Sequence, residues 1–446
     1  MIPALLVRDP AASYGGVPLS EADLVRLWEG QRFPAAALVS REGLALQVVY
    51  RGRPVGGPGP DFRDAVIAAG GEEWRGDIEL HVAASAFRQH GHHRDPAYDN
   101  LVLHVVFFDD NSGETRLACG RSVPTLALGP WVARRAQELH RWLGQPTRWQ
   151  EPCRTALTRL GPAAVAAALE EAGDVRFREK TGAFAAAIAR EEDEEVLYRG
   201  ILEGLGYSRN RDSFRRLAEV LPWQGLRGFL AAQRPAGRLL AAEAVLLGVA
   251  GFLPGEETAE PYLAALQERQ PQGGPPFLPW ELAGRPENHP ARRLAGAARL
   301  LVRYVDGGLL PGLLAAVKMG HAALASALQT QADGFWSNHY DLKGGPARLP
   351  AGLIGPGRAG ELAVNIVLPF ALAWAEGRGD APLTEAAVTA YRRYPRTSAY
   401  GVLRLLSATL GSRLAAGARR QQGMLHLFRR YCRQGGCAGG GGCPLA

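Results

Sequence analysis

Apolar residues recur at three- and four-residue spacing in ADLVRLWEG, where Leu24, Leu27 and Trp28 fall on one helical face. Ser20, with Asp23 three residues later, is a capping signal at the start of that helix. The period then shortens. LALQVVYRGR, FRDAVIAAG, WRGDIELHV and LVLHVVFFDD alternate or run apolar and predict four strands. RGRPVGGPGP, dense in Gly and Pro, predicts a loop, and GGEE a turn. AASAFRQHGHHRDPAYDN predicts a short helix and a loop, with Asp95 and Pro96 placed as N-cap and first helical residue. After the turn DDNSGE a further strand is expected near TRLACG. From about residue 20 to 110 the order is therefore helix, three strands, helix, strand.

The pattern changes near Trp131. AAVAAALEEAG, TGAFAAAIAREEDEEVLYRGILEGLG, DSFRRLAEVL, AAEAVLLGVAGFL and HPARRLAGAARLLVRYV carry the 3.6-residue period, and residues 150–430 read as all-helical, without a repeat of fixed length. The tail YCRQGGCAGGGGCPLA is too rich in Gly for a helix. The expected architecture is an α+β N-terminal domain over residues 1–130, a large all-α domain over 131–430 and a short Cys/Gly-rich tail over 431–446.

Composition narrows the class without naming a function. A chain of 446 residues exceeds one ordinary core, and 47% hydrophobic with 21% charged residues is that of a soluble globular protein. The net charge of +7 permits a polyanionic partner. Arginine supplies nearly all of it, since Lys180, Lys318 and Lys343 are the only lysines. MIPALLVRDP lacks the basic and long apolar regions of a signal peptide. LAVNIVLPFALAWAEG, interrupted by Asn365 and Pro369, reads as a buried helix shorter than a membrane span. A cytoplasmic protein without a membrane partner is expected, and five cysteines, three of them crowded at the C-terminus, do not suggest a secreted disulfide framework.

Candidate chemistry concentrates between Pro60 and Asp109. Asp61 opens the second strand, and Asp77, Glu79 and His81 share one face of the third, with Ile78, Leu80 and Val82 on the other. Two carboxylates from neighbouring strands suit a hard divalent cation, which can make water a nucleophile at neutral pH. Five of the ten histidines (His81, His90, His92, His93 and His104) fall between positions 81 and 104. His90 and His92, with Asp95, can be read as a transition-metal site or as a polar loop over the cleft, with Asp95 and Asp99 capping turns. His104, flanked by apolar residues, reads as a core histidine. In the tail, Cys432, Cys437 and Cys443 could hold Zn²⁺ or an iron–sulfur cluster if Cys153, or failing that Cys119, supplied a fourth ligand; free surface thiols are the alternative.

The order of elements and the pair PD…ExH resemble the PD-(D/E)xK nuclease superfamily, whose αβββαβ core carries an Asp at the head of one strand and Glu-x-Lys in the next. By that resemblance Asp61, Glu79 and the backbone carbonyl of Leu80 would ligate Mg²⁺ or Mn²⁺. His81 would stand in the lysine position, and Glu29 on the first helix would be an accessory acid. The implied function is metal-dependent hydrolysis of nucleic acid. A nucleic-acid-binding or scaffold protein with a degenerate core, and a His-rich metal-dependent hydrolase of a small substrate, are the alternatives. Over its whole length, in GPDFRDAVI, GDIELHV, HGHHRDPAYDNLVLHVV, LEGLGYSRNRDSF, RPENHPARRLAG and ELAVNIVLPF, the chain resembles an uncharacterised bacterial family, number 2851 among the domains of unknown function. RPENHPARR would place Arg285, Asn288 and Arg292 at a polar interface.

Overall fold

The computed structural model describes residues 12–14, 17–31, 38–54, 59–70, 72–110, 113–130, 153, 156–207, 210–253, 258, 260–269, 278–282, 288–346, 352–398, 403, 406–407, 410, 414, 416–431 and 443–445. Two compact units result. One comprises Met1–Val165, Tyr400–Gly411 and Leu427–Ala446, the other Ala166–Ala399 and Ser412–His426. The boundary between these units falls at Val165, and Tyr400–Gly411 and Leu427–Ala446 group with the first.

The first unit is built on a mixed sheet. A hairpin of β1 (Ala12–Tyr14) and β2 (Val17–Leu19) precedes α1 (Glu21–Gly30). Ser20 and Asp23 form the expected capping box, each side chain accepting from the other's backbone N–H. The sheet then runs in the order β3 (Leu38–Val39), β4 (Ala45–Tyr50), β6 (Phe62–Ala69), β7 (Glu72–Ala83), β8 (Leu101–Phe108) and β11 (Thr125–Ala127). Strands β3 to β7 are antiparallel neighbours, whereas β8 lies parallel to both β7 and β11. Short α2 (Ala86–Gln89) lies in the β7–β8 crossover. β5 (Arg53–Pro54) pairs with β6 inside the segment expected to be loop, because Pro54 at a sheet edge needs no N–H to donate. β9 (Thr115–Arg116) and β10 (Ser122–Val123) form a separate ribbon where one further strand was expected.

Leu24, Leu27 and Trp28 of α1 join Phe62, Ile67, Ile78, Leu80, Leu103 and Val105 in one core cluster. Two details of the sheet bear on the site. The β6–β7 register shifts between Phe62 and Ala65, one extra residue standing on β6, and Asp64 takes φ +60° there. Asp77 Oδ1 accepts the Asp64 N–H at 3.2 Å and so fixes the bulge. Gly76 opposes the start of β8 so closely that an added Cβ would lie 2.2 Å from the Asn100 carbonyl oxygen.

The second unit is helical, from most of Pro162–Ile188 to most of Ala418–Arg430. Tyr198, Leu202, Trp223, Leu246, Leu301 and Phe370 belong to its single large core cluster. Among the described residues it departs from the all-helical expectation where Thr330–Gln331 pairs with Gly352–Ile354 and where Pro395 bridges Gly417. Asn365 and Pro369 do not interrupt the apolar helix. Pro356–Arg378 runs unbroken for 23 residues because Ala363–Val367 widens to a π turn, in which the Leu368 N–H reaches Ala363, leaving room for the proline ring. It is long and apolar enough to cross a membrane, but 72% of its most apolar window is buried within the protein. Arg292 is also buried, donating to the carbonyls of Trp336 and His339 at 2.7 and 2.8 Å, and Asn288 accepts from Arg293 at 2.8 Å. Arg285 lies outside the described residues.

Candidate metal centre

Asp61 and Glu79 meet. The Leu80 N–H donates to Asp61 Oδ2 at 2.9 Å, and the Asp61 N–H donates to Glu79 Oε2 at 3.1 Å, so each carboxyl is anchored on the other strand's backbone. Burial lifts both out of the usual carboxylate range. Glu79 is raised further because the Asp61 charge adds to its burial. A close pair of like charges with little water around it retains a proton at neutral pH. Among the described residues no arginine or lysine pairs with either.

Imidazoles surround Glu79. His92 Nε2 lies 3.2 Å and His81 Nε2 3.7 Å from Glu79 Oε1. These distances are those of ion pairs, but the groups are neutral: burial and then His90 push His92 down to about 4, burial lowers His81 well below the ordinary value, and Glu79 is raised. His81 is 1% exposed. Its Nδ1 meets His104 Nε2 at 3.0 Å, His104 Nδ1 meets Thr115 Oγ1 at 2.8 Å, and Thr115 Oγ1 meets Thr125 Oγ1 at 3.0 Å. The strand register explains the row, since His104 on β8 pairs with Glu79 on one side and Thr125 on the other. His104, held at both nitrogens and fully buried, is pushed down to about 3 by that burial.

His90 and His92 come from the turn after α2. Gly91 between them takes φ +79°, which an L side chain rarely adopts, and this bend aims both rings toward His81. Ring centroids lie 5.1 Å apart for His81 and His90, 5.2 Å for His81 and His92, and 5.5 Å for His90 and His92. Phe87 and Tyr98 pack on His92 at 5.5 and 4.0 Å.

Other expected residues do different work. Asp95 is exposed and caps the turn at Pro96–Tyr98 through Ala97 N–H, as its place before Pro96 suggests, rather than joining the histidines. Asp77 serves the β6 bulge and is separate from the carboxyl pair. Glu29 pairs with Arg51 at 3.8 Å, and the α1 carboxylate whose charge reaches Glu79 is Glu21. Leu80 presents its N–H to Asp61 and its side chain to the core. Cys153 and Cys443 are half-buried in the first unit, Cys119 is exposed, and Cys432 and Cys437 lie outside the described residues. Thr115, Thr125, Tyr98 and Glu21 were not singled out from sequence. A lone histidine in an apolar strand that needs two partners was the signal available for the threonines.

A family model described as a protein of unknown function (DUF2851) matches residues 21–398. No curated protein and no solved structure matches the chain.

Proposed function

The chain belongs to the DUF2851 family, whose description assigns no activity, and from the site itself we propose a divalent-metal-dependent phosphodiesterase that hydrolyses nucleic acid. The observation that carries this reading is the reciprocal anchoring of half-buried Asp61 and buried Glu79, two carboxyls from adjacent strands that converge without a cationic partner among the described residues. Such a pair is electrostatically incomplete, and a cation completes it. The topology supports the same reading. An antiparallel run of β4, β6 and β7, a short helix and a parallel β8 put Asp61 at the head of the middle strand and Glu79 in the third, the order that a PD-(D/E)xK-like core requires.

Asp61 and Glu79, with the backbone carbonyl of Leu80, would hold Mg²⁺ or Mn²⁺. Bound there, the ion would supply a water of lowered pKa and offset charge on the phosphate. His81, neutral and fixed by His104, orients rather than stores a proton. Arg63, exposed two residues after Asp61, would meet phosphate oxygens.

The test is cleavage of labelled DNA and RNA with Mg²⁺ or Mn²⁺. Asp61→Ala and Glu79→Ala should each reduce the rate by at least about a hundredfold with the melting transition retained. Wild-type protein that binds nucleic acid but cuts it with no divalent ion would leave a binding or scaffold role instead.

A further inference from the structure

We propose that His81, His90 and His92, with Glu79 as fourth donor, form a site for a transition-metal ion of the zinc class. The site shares Glu79 with the hydrolytic reading but goes beyond it, since its other donors are imidazoles rather than Asp61, and it stands on separate observations.

The three imidazoles place donor nitrogens within 4.8 Å of one another. Glu79 Oε1 is already 3.2 Å from His92 Nε2 and 3.7 Å from His81 Nε2. Ligands about 2.0–2.1 Å from a tetrahedral ion lie about 3.3–3.5 Å from each other, so Glu79 stands near coordination spacing from both His92 and His81. His90 would close the remaining gap by a small swing of the turn that carries it.

The orphaned atom points to a ligand. His81 Nε2 is buried and has no hydrogen-bond partner among the described residues. Leaving such an atom unsatisfied costs about 1–3 kcal/mol. It faces Glu79, His90 and His92, where a cation would use its lone pair.

The residues behind it accommodate the necessary tautomer. With the proton on Nδ1, His81 donates to His104 Nε2, His104 donates through Nδ1 to Thr115, and Thr115 donates to Thr125. Every step is satisfied, and Nε2 is left as a lone pair. Outer hydrogen bonds of this kind orient metal-ligating histidines. Three imidazoles and one carboxylate favour Zn²⁺, Co²⁺ or Ni²⁺ over Mg²⁺, which prefers oxygen donors.

The full chain, stripped with chelator and dialysed, is titrated with Co²⁺ while visible absorption is followed, and then with Zn²⁺ in competition. One equivalent with d–d bands of a low-symmetry site is expected, displaced by Zn²⁺. His90→Ala/His92→Ala should weaken binding at least about a hundredfold, and Thr115→Val about tenfold. Both His90 and His92 lie on a half-buried turn, so the fold should survive, and His90→Ala alone provides a milder check. Undiminished Co²⁺ binding in the double variant, or wild type preferring Mg²⁺ to Zn²⁺, overturns the site. Cleavage with Mg²⁺ that survives the double variant also counts against the imidazoles as the metal ligands while sparing the nuclease reading. Tight Zn²⁺ without cleavage does the reverse.

Discussion

Glu79 is the residue on which most of the site converges, and its proton is measurable. Burial and the Asp61 charge raise its folded-state pKa above the ordinary 4.5, so the folded protein holds a proton that the unfolded chain releases. Stability from this group is full below that ordinary value and falls as pH rises toward the folded one. Asp61 acts in the same direction. His81, His92 and His104 are lowered, so they act with the opposite sign, and only as pH falls below the ordinary histidine value of 6.5. Between about pH 7 and 9 Glu79 therefore dominates the pH dependence of this cluster. In chelator, Glu79→Gln should melt higher than wild type at pH 8, with a flatter dependence of melting temperature on pH. An unchanged dependence would show that Glu79 is ionised in the folded protein. At this scale sequence was informative where a local pattern names the partner: Pro-Asp and Glu-x-His gave the pair, and Asp-Pro gave the cap at Asp95. It was uninformative across strands. The neighbours of His104, Thr115 and Thr125, are set by register with β11 and by the β9 turn, which periodicity does not encode. Glu21 and Glu29 stand about 12 Å apart along α1, and the sequence does not say which end lies near the pair.

Among elements, β7 is the organising strand. Its period-2 alternation was readable, but burial on both faces was not, because Asp77, Glu79 and His81 are polar letters in buried positions. Gly76 permits β7 and the entry to β8 to approach. Gly76→Ala should push them apart, destabilise the protein by about 1–3 kcal/mol and loosen the Asp61–Glu79 pair, read by denaturant unfolding together with metal affinity. An unchanged midpoint would mean that the close contact with Asn100 relaxes freely. In the helical unit, Gly423 is packed against the Leu169 carbonyl, where an added Cβ would fall 1.8 Å from the oxygen, so Gly423→Ala should separate Pro162–Ile188 from Ala418–Arg430 with comparable loss. Arg292→Leu should cost about 2–4 kcal/mol, since two carbonyls lose their donor. A melting temperature within a degree of wild type would contradict that. The π turn in Pro356–Arg378 lets the buried helix expected from the sequence run through Asn365 and Pro369, because the widened turn removes the clash that a regular helix would impose.

For the molecule as a whole, the change of period near Trp131 revealed a mixed α/β part followed by helices, while the unit boundary and the return of the C-terminal residues to the first unit depend on tertiary packing. The central claim is that a cation held by Asp61 and Glu79 hydrolyses phosphodiesters. The most direct test is single-turnover cleavage of a labelled oligonucleotide by the purified full chain, wild type beside Asp61→Asn, across Mg²⁺, Mn²⁺, Co²⁺ and Zn²⁺. The account predicts metal-dependent cleavage by wild type and its loss in a folded Asp61→Asn protein. Cleavage at equal rates by both proteins, or by neither with any ion, would contradict it.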